Sequence, residues 1–403
     1  MSGYPKTQIS GPLSDFVSNV YRHMRSEGYA VLSAAHALNM MAHLSRWMQE
    51  HGLSVAELQP DRIEEFFRHR RNIGYTNFTS AQAMEPIVRA LQRSGVELPG
   101  PADSDEPHEK LLTRFAQYLK SERCLAISTV KAYSVVARRF LHERFGEEPP
   151  TPHDLIAVDV TGYVIRASRR VSVGACKYEV CALRALLRWL YVRGELDSDL
   201  AGCVPAVAGW RQTSLPTGLE SDDVECLLRS CDRRKSIGRR DYAVLLSMVR
   251  MGLRAGEVAA LELDDVDWSA GEILVHGKGS KHVLLPLPHE IGEAIAAYLK
   301  RGRPRRSCRK LFLRSRAPYG GLGNSAIGEI TRRAFERAGL KSPKRGAHVL
   351  RHTAATQMLR RGGSLCEIAQ VLRHSHIDTT AIYAKVDREV LHELVQPWAG
   401  GEA

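Results

Sequence analysis

Helical periodicity runs through almost all of this 403-residue chain, and only one short stretch departs from it. Apolar residues recur at three- and four-residue spacing over residues 32–48 (Leu38, Met41, Ala42, Leu44, Met48), and helices are expected at 61–71 and 80–94. Further helices are expected over 128–141, 241–253, 289–300 and 325–340. Such spacing places the apolar side chains on one helix face, toward a core. The departure lies at 272–275 and 283–287, two short runs rich in β-branched residues and leucine, joined by HGKGSKH. The glycines permit a tight reversal, so one antiparallel hairpin is predicted. The expected fold is mainly α: helical bundles in the first half, then a mixed α+β domain with a small antiparallel sheet.

Length allows two or three domains with cores of their own. The first two hundred residues carry signs of a duplication. Ala37 and Ala132 are 95 residues apart, as are Arg89-Ala90-Leu91 and Arg184-Ala185-Leu186. Leu58 and Ile156, Asp61 and Asp159, and Glu97-Leu98 and Glu195-Leu196 are 98 apart. Ser33 and Ser128 are the expected helix starts in the two copies. We therefore divide the chain into an extra helical domain (1–100), a second helical domain (101–203), a Pro/Gly/Ser-bearing linker (204–218) and a final domain (219–403).

Charge then points to a partner. The net charge is +12, of which residues 1–100 carry +1, residues 101–214 carry +2 and residues 215–403 carry +9. A basic excess gathered in one domain favours a polyanion, and duplex DNA leads. Basic clusters at Arg233–Lys235 with Arg239 and Arg240, at 300–310, at Arg332 and Arg333 and at 341–345 would supply phosphate contacts. Eight cysteines occur without a CxxC pair, so zinc is not expected and free thiols in a reducing cytoplasm are. No secretory signal and no membrane-length apolar run is evident.

Several residues suit phosphate chemistry. Arg254 stands in GLRAGEVAAL, with Glu257 one turn on and placed to orient its guanidinium. Lys278 lies between two glycines at the hairpin tip, where an ammonium can give a proton to a developing alkoxide and regain it; Lys281 competes for that part. His348 and Arg351 are three apart, hence on one helix face. His348 and His352 have the spacing of a zinc pair, but no Glu follows the first histidine, and no metal is expected. Gly362-Gly363 ends that helix, Ser364 and Glu367 form a capping box for the next, and His374 sits at its end. Tyr383 follows, five residues after Asp378. Singly, each reads more readily as a packing or surface residue. The ordered set Arg…Lys…His-x-x-Arg…His…Tyr is what discriminates.

That order, in GLRAGEVAALELDDVDW, GKGSKHVLLPL, HVLRHTAATQMLRRG and LRHSHIDTTAIYAKV, resembles the tyrosine recombinase or phage integrase family, in its Xer-like branch. The resemblance spans residues 105–400. It implies that Tyr383 attacks a DNA phosphodiester, giving a 3′-phosphotyrosyl link and a free 5′ hydroxyl. Arg254 and Arg351 would hold the non-bridging oxygens with His374, Lys278 would protonate the departing oxygen, and His348 would assist proton transfer at the tyrosine. It further implies no cofactor, a SAM-like core-binding domain at 101–203, a catalytic domain at 219–403, and a homotetramer on double-stranded DNA, alone or with related recombinases, in the cytoplasm at the nucleoid. The tail VDREVLHELVQPW would dock on a neighbour or on its own core. Arg373 departs from the pattern, since relatives commonly have glycine there, and residues 1–100 are extra. A catalytically unused DNA-binding accessory protein and a type IB topoisomerase-like enzyme are the competing readings. The filled set of six positions argues against the first.

Overall fold

Among the described residues, the first half of the chain is built, without a strand, from helices. They are α1 (Val17–Ser26), α2 (Val31–Glu50), α3 (Pro60–Asn72), α4 (Ala81–Arg93), α5 (Pro107–Ser121), α6 (Ile127–Phe145), α7 (Ala157–Arg170) and α8 (Val173–Val192). The computed structural model describes residues 9–77, 79, 81–96, 107–208, 218–277, 282–341, 346–373, 380 and 383. The chain divides into two units, residues 1–23 with 32–211 and residues 24–31 with 212–403.

In the first unit, α2 buries Leu38, Met41, Ala42, Leu44 and Met48, the stripe its sequence spacing predicts, and Trp47 beside them. The Trp47 ring meets Phe66 of α3 edge-on at 5.7 Å. Pro60 opens α3, where its fixed φ suits a first helical turn and its missing N–H costs nothing. Helices α5 to α8 enclose a core of Phe115, Phe140, Tyr163, Leu183, Leu187 and Trp189. Each such side chain removed from water contributes about 1.5–3 kcal/mol. Tyr163 donates to Glu179 (2.9 Å), which also takes Arg139 (2.7 Å), so the phenol and the carboxylate carried into that core are partnered. The expected serine starts are displaced: α2 begins two residues before Ser33, and α6 one residue before Ser128.

The second unit holds α9 (Ser221–Arg229), α10 (Ser236–Met251), α11 (Ala255–Ala260), α12 (His289–Arg301), α13 (Asn324–Arg337), α14 (Ala347–Arg360) and α15 (Leu365–Val371). Between α11 and α12 lies an antiparallel sheet in the order β1 (Val266–Asp267), β2 (Glu272–His276), β3 (His282–Pro286). The predicted hairpin is β2–β3, with Ile273 opposite Leu285 and Val275 opposite Val283. Ile273 and Val275 bury one face, as a period of two requires. Helix α10 is the centre of this unit: Ala243 to Val249 are buried on every side, apolar apart from Ser247, whose hydroxyl donates to the Ala243 carbonyl. A helix apolar nearly all round must be covered on all faces. The Ser364–Glu367 capping box forms as predicted. No described helix is long and apolar enough to cross a membrane.

Candidate active site

The end of α10 sets the site. Gly252 closes that helix in the left-handed region (φ +62°), and a Cβ there would meet Leu372 at 2.4 Å. Arg254 follows as the first residue before α11. Its backbone N–H donates to Glu257 Oε2 (2.8 Å) and its guanidinium to Glu257 Oε1 (2.6 Å). Arg351, inward on α14, is buried and donates to the carbonyls of Gly252 (2.5 Å) and Leu372. These are carbonyls at the C-terminal ends of α10 and α15, the negative ends of the two helices. Two helix ends therefore hold one cation by backbone groups alone. Burial, then the nearby Arg254, lower the Arg351 pKa to about 10, with Glu257 opposing them. Arg351 stays charged at neutral pH, and N–H groups remain on its guanidinium for a ligand.

Glu257 is itself buried and binds a second arginine, Arg373, at 2.7 Å. Burial raises its carboxyl, but Arg373 and Arg254 outweigh burial and hold it below the usual carboxylate range. Arg373 sits just past α15 with φ +55°, a position that ordinarily favours glycine.

Tyr383 is 2% exposed and packs with Ala355, Ile368 and Leu372. Its hydroxyl lies 2.9 Å from Nδ1 of His352. Burial raises the phenol pKa, while Arg351 and Arg254 pull it down, so the tyrosine feels both cations. His348 stands at the start of α14, exposed, on a cleft of about 670 Å³ that Arg254, Arg351, His276, Gly277 and Asn324 also line. Lys278, Lys281 and His374 lie outside the described residues, as do Asp378 and the tail after Tyr383. Two arginines, two histidines and the mouth of the hairpin loop thus share one cleft. A phenol lies within electrostatic reach of both arginines.

Residues 218–389 match the phage integrase family. The integrase/recombinase y4rA of Sinorhizobium fredii is 38% identical over 97% of this chain and 95% of its own length. The chain belongs to the phage integrase family. Tyrosine recombinase XerD of Mycobacterium tuberculosis is 30% identical, over 72% of this chain and 96% of its own. The fold is also that of the XerH site-specific recombinase solved on palindromic difH, with a TM-score of 0.55, 18% identity and coverage of 98% of this chain and 99% of that one. The protein is a tyrosine-type site-specific DNA recombinase, mainly helical with a small antiparallel sheet.

The basic clusters of this recombinase need correction. Arg240 is buried on Asp241 (2.7 Å) and the Leu313 carbonyl, and Arg239 donates to the carbonyls of Arg233, Arg234 and Arg301. Arg332 and Arg333 pair with Glu329 on their own helix. Arg303 braces the loop carbonyls of Cys308, Lys310 and Leu311. Arg239, Arg240 and Arg303 thus hold the fold, whereas Arg233, Arg234, Lys235, Arg305, Arg306, Arg332 and Arg333 stay exposed and residues 342–345 lie outside the described residues. Sequence reasoning also missed His276, which lines the cleft and binds Asp265 at 2.8 Å. Its place two residues before Lys278 was the available signal. It weighed His352 only as a metal ligand, although His352 directly follows Arg351.

Proposed function

We propose that this recombinase serves a mobile genetic element, cutting and rejoining its DNA through a 3′-phosphotyrosine on Tyr383. Arg254 and Arg351 hold the two non-bridging oxygens of the scissile phosphate, and Glu257 fixes the first of them. Removing one preorganised donor of this kind costs about 2.7–4 kcal/mol of barrier. His374 adds a third donor, Lys278 protonates the departing 5′ oxygen, and His348 assists proton transfer from its place on the cleft. The link keeps the energy of the broken bond, so a 5′ hydroxyl from a second duplex reverses the step without ATP. Residues 101–203 form the core-binding domain, 204–218 the linker and 219–403 the catalytic domain, with 1–100 an added module for DNA or protomer contact. Four copies assemble on duplex DNA at the nucleoid of the cytoplasm.

The observation that carries this reading is the cleft that Arg254, Arg351 and His348 line together, with Arg351 fixed by the carbonyls of Gly252 and Leu372, the latter residue packing against Tyr383. To test it, a duplex is selected from a random library by the purified chain and nicked beside each phosphate in turn. Wild type is expected to form a denaturation-resistant protein–DNA complex, and Tyr383→Phe none. A complex that persists in Tyr383→Phe would refute the assignment. Relaxation of supercoils without recombinant product would favour the topoisomerase reading instead.

A further inference from the structure

One titratable side chain at the site has no part in the scheme above. His352 follows Arg351 on α14, and its Nδ1 lies 2.9 Å from Tyr383 Oη, with the ring centroids 5.7 Å apart at 61°. His348 is one turn away and exposed on the cleft, and among the described residues it makes no hydrogen bond to Tyr383. Among the described residues the phenol packs with Ala355, Ile368 and Leu372, none of which can take a proton. A tyrosine attacking phosphorus must lose its proton, and a base must be within hydrogen-bond reach of it. His352 meets that requirement.

We infer that His352 is a catalytic residue of this recombinase, the base that takes the Tyr383 proton on cleavage and returns it on rejoining. Nδ1 accepts when the ring proton sits on Nε2. On cleavage Tyr383 Oη bonds to phosphorus, the phenol proton passes to His352, and the P–O5′ bond breaks. The 5′ oxygen takes its proton from a separate acid, the part proposed for Lys278. On rejoining, the 5′ hydroxyl attacks and gives its proton back to that acid. The P–Oη bond breaks, and the imidazolium of His352 reprotonates the phenol. Arg351 and Arg254 favour the phenolate and so assist the transfer.

The inference rests on Tyr383 being the nucleophile, and the assay separates the two. Single-turnover formation of the covalent complex is measured on the selected nicked duplex across pH, for wild type, His352→Asn and His348→Asn. Asparagine at 352 can still accept from the phenol through its side-chain oxygen but cannot take the proton. His352→Asn is expected to be slower by about 10²–10⁴-fold at neutral pH, with the acid limb of the wild-type profile replaced by a rate rising with hydroxide. His348→Asn is expected to keep that limb. A 5′-bridging phosphorothiolate, whose thiolate leaves without a proton, should rescue Lys278→Ala and leave His352→Asn slow. Loss of the acid limb in His348→Asn, a wild-type profile in His352→Asn, or rescue of His352→Asn by the thiolate would each overturn the inference alone. Should His352→Asn fail to fold, the His348→Asn profile still decides. Absence of any complex with wild type would remove the proposed nucleophile and this inference together.

Discussion

Glu257 links two arginines that sequence places 119 residues apart, Arg254 and Arg373. The sequence suggested the first pair, one turn apart, and could not suggest the second, because no local period relates residues so distant. Arg373 adopts a backbone conformation that costs an L-residue about 1–2 kcal/mol, and its buried ion pair offsets that cost. Removing one partner of a buried pair costs about 3–5 kcal/mol. Arg373→Ala should therefore lose stability on that scale, and Arg373→Gly should recover about 1 kcal/mol of it by relieving the backbone. Urea unfolding of the two variants checks this. Equal losses would mean that the left-handed residue carries no strain, and no loss in either would mean that the ion pair contributes nothing. The same logic explains why the basic clusters were misread: sequence counts charges, but whether a guanidinium faces solvent or a carbonyl such as that of Leu313 depends on the fold.

At the level of elements, the active arginines are fixed by helix ends. Gly252 allows α10 to stop where its carbonyl meets Arg351, and Leu372 gives the second carbonyl from α15. Gly252→Ala would strain the backbone by about 1–2 kcal/mol and drive a methyl into Leu372. A misplacement near 1 Å can cost on the order of 10²-fold in rate, so cleavage should fall by that order while duplex binding holds. Gel-shift and cleavage assays run side by side test it; equal rates would detach the helix ends from catalysis. Element types were mostly legible, since α2, α10 and α12 show the helical period and β2–β3 the short β-branched runs. Helix starts were less so: serine is a good cap, but α2 and α6 begin before their serines because the preceding residues already join the helix. Strand β1 was missed because two residues carry no period and pair only through β2.

For the whole molecule, the motif resemblance covers residues 105–400, whereas y4rA aligns over 97% of the chain and so shares most of the first hundred residues as well. Within the first two hundred residues α2 and α6 start 96 residues apart and α3 and α7 97 apart, whereas α1 and α5 start 90 apart and α4 and α8 92 apart. Deleting residues 1–100 should shorten the footprint on the selected duplex or weaken assembly, as read by nuclease protection and sedimentation; an unchanged footprint with unchanged assembly would deny the module either role. The account as a whole requires that a single phenol take one phosphate while two fixed arginines hold it. Peptide mass mapping of the trapped protein–DNA complex tests this most directly. The expected adduct is a 3′-phosphate on Tyr383, with a free 5′ hydroxyl on the released strand. An adduct on any other residue, or a 5′-phosphate linkage, would contradict it.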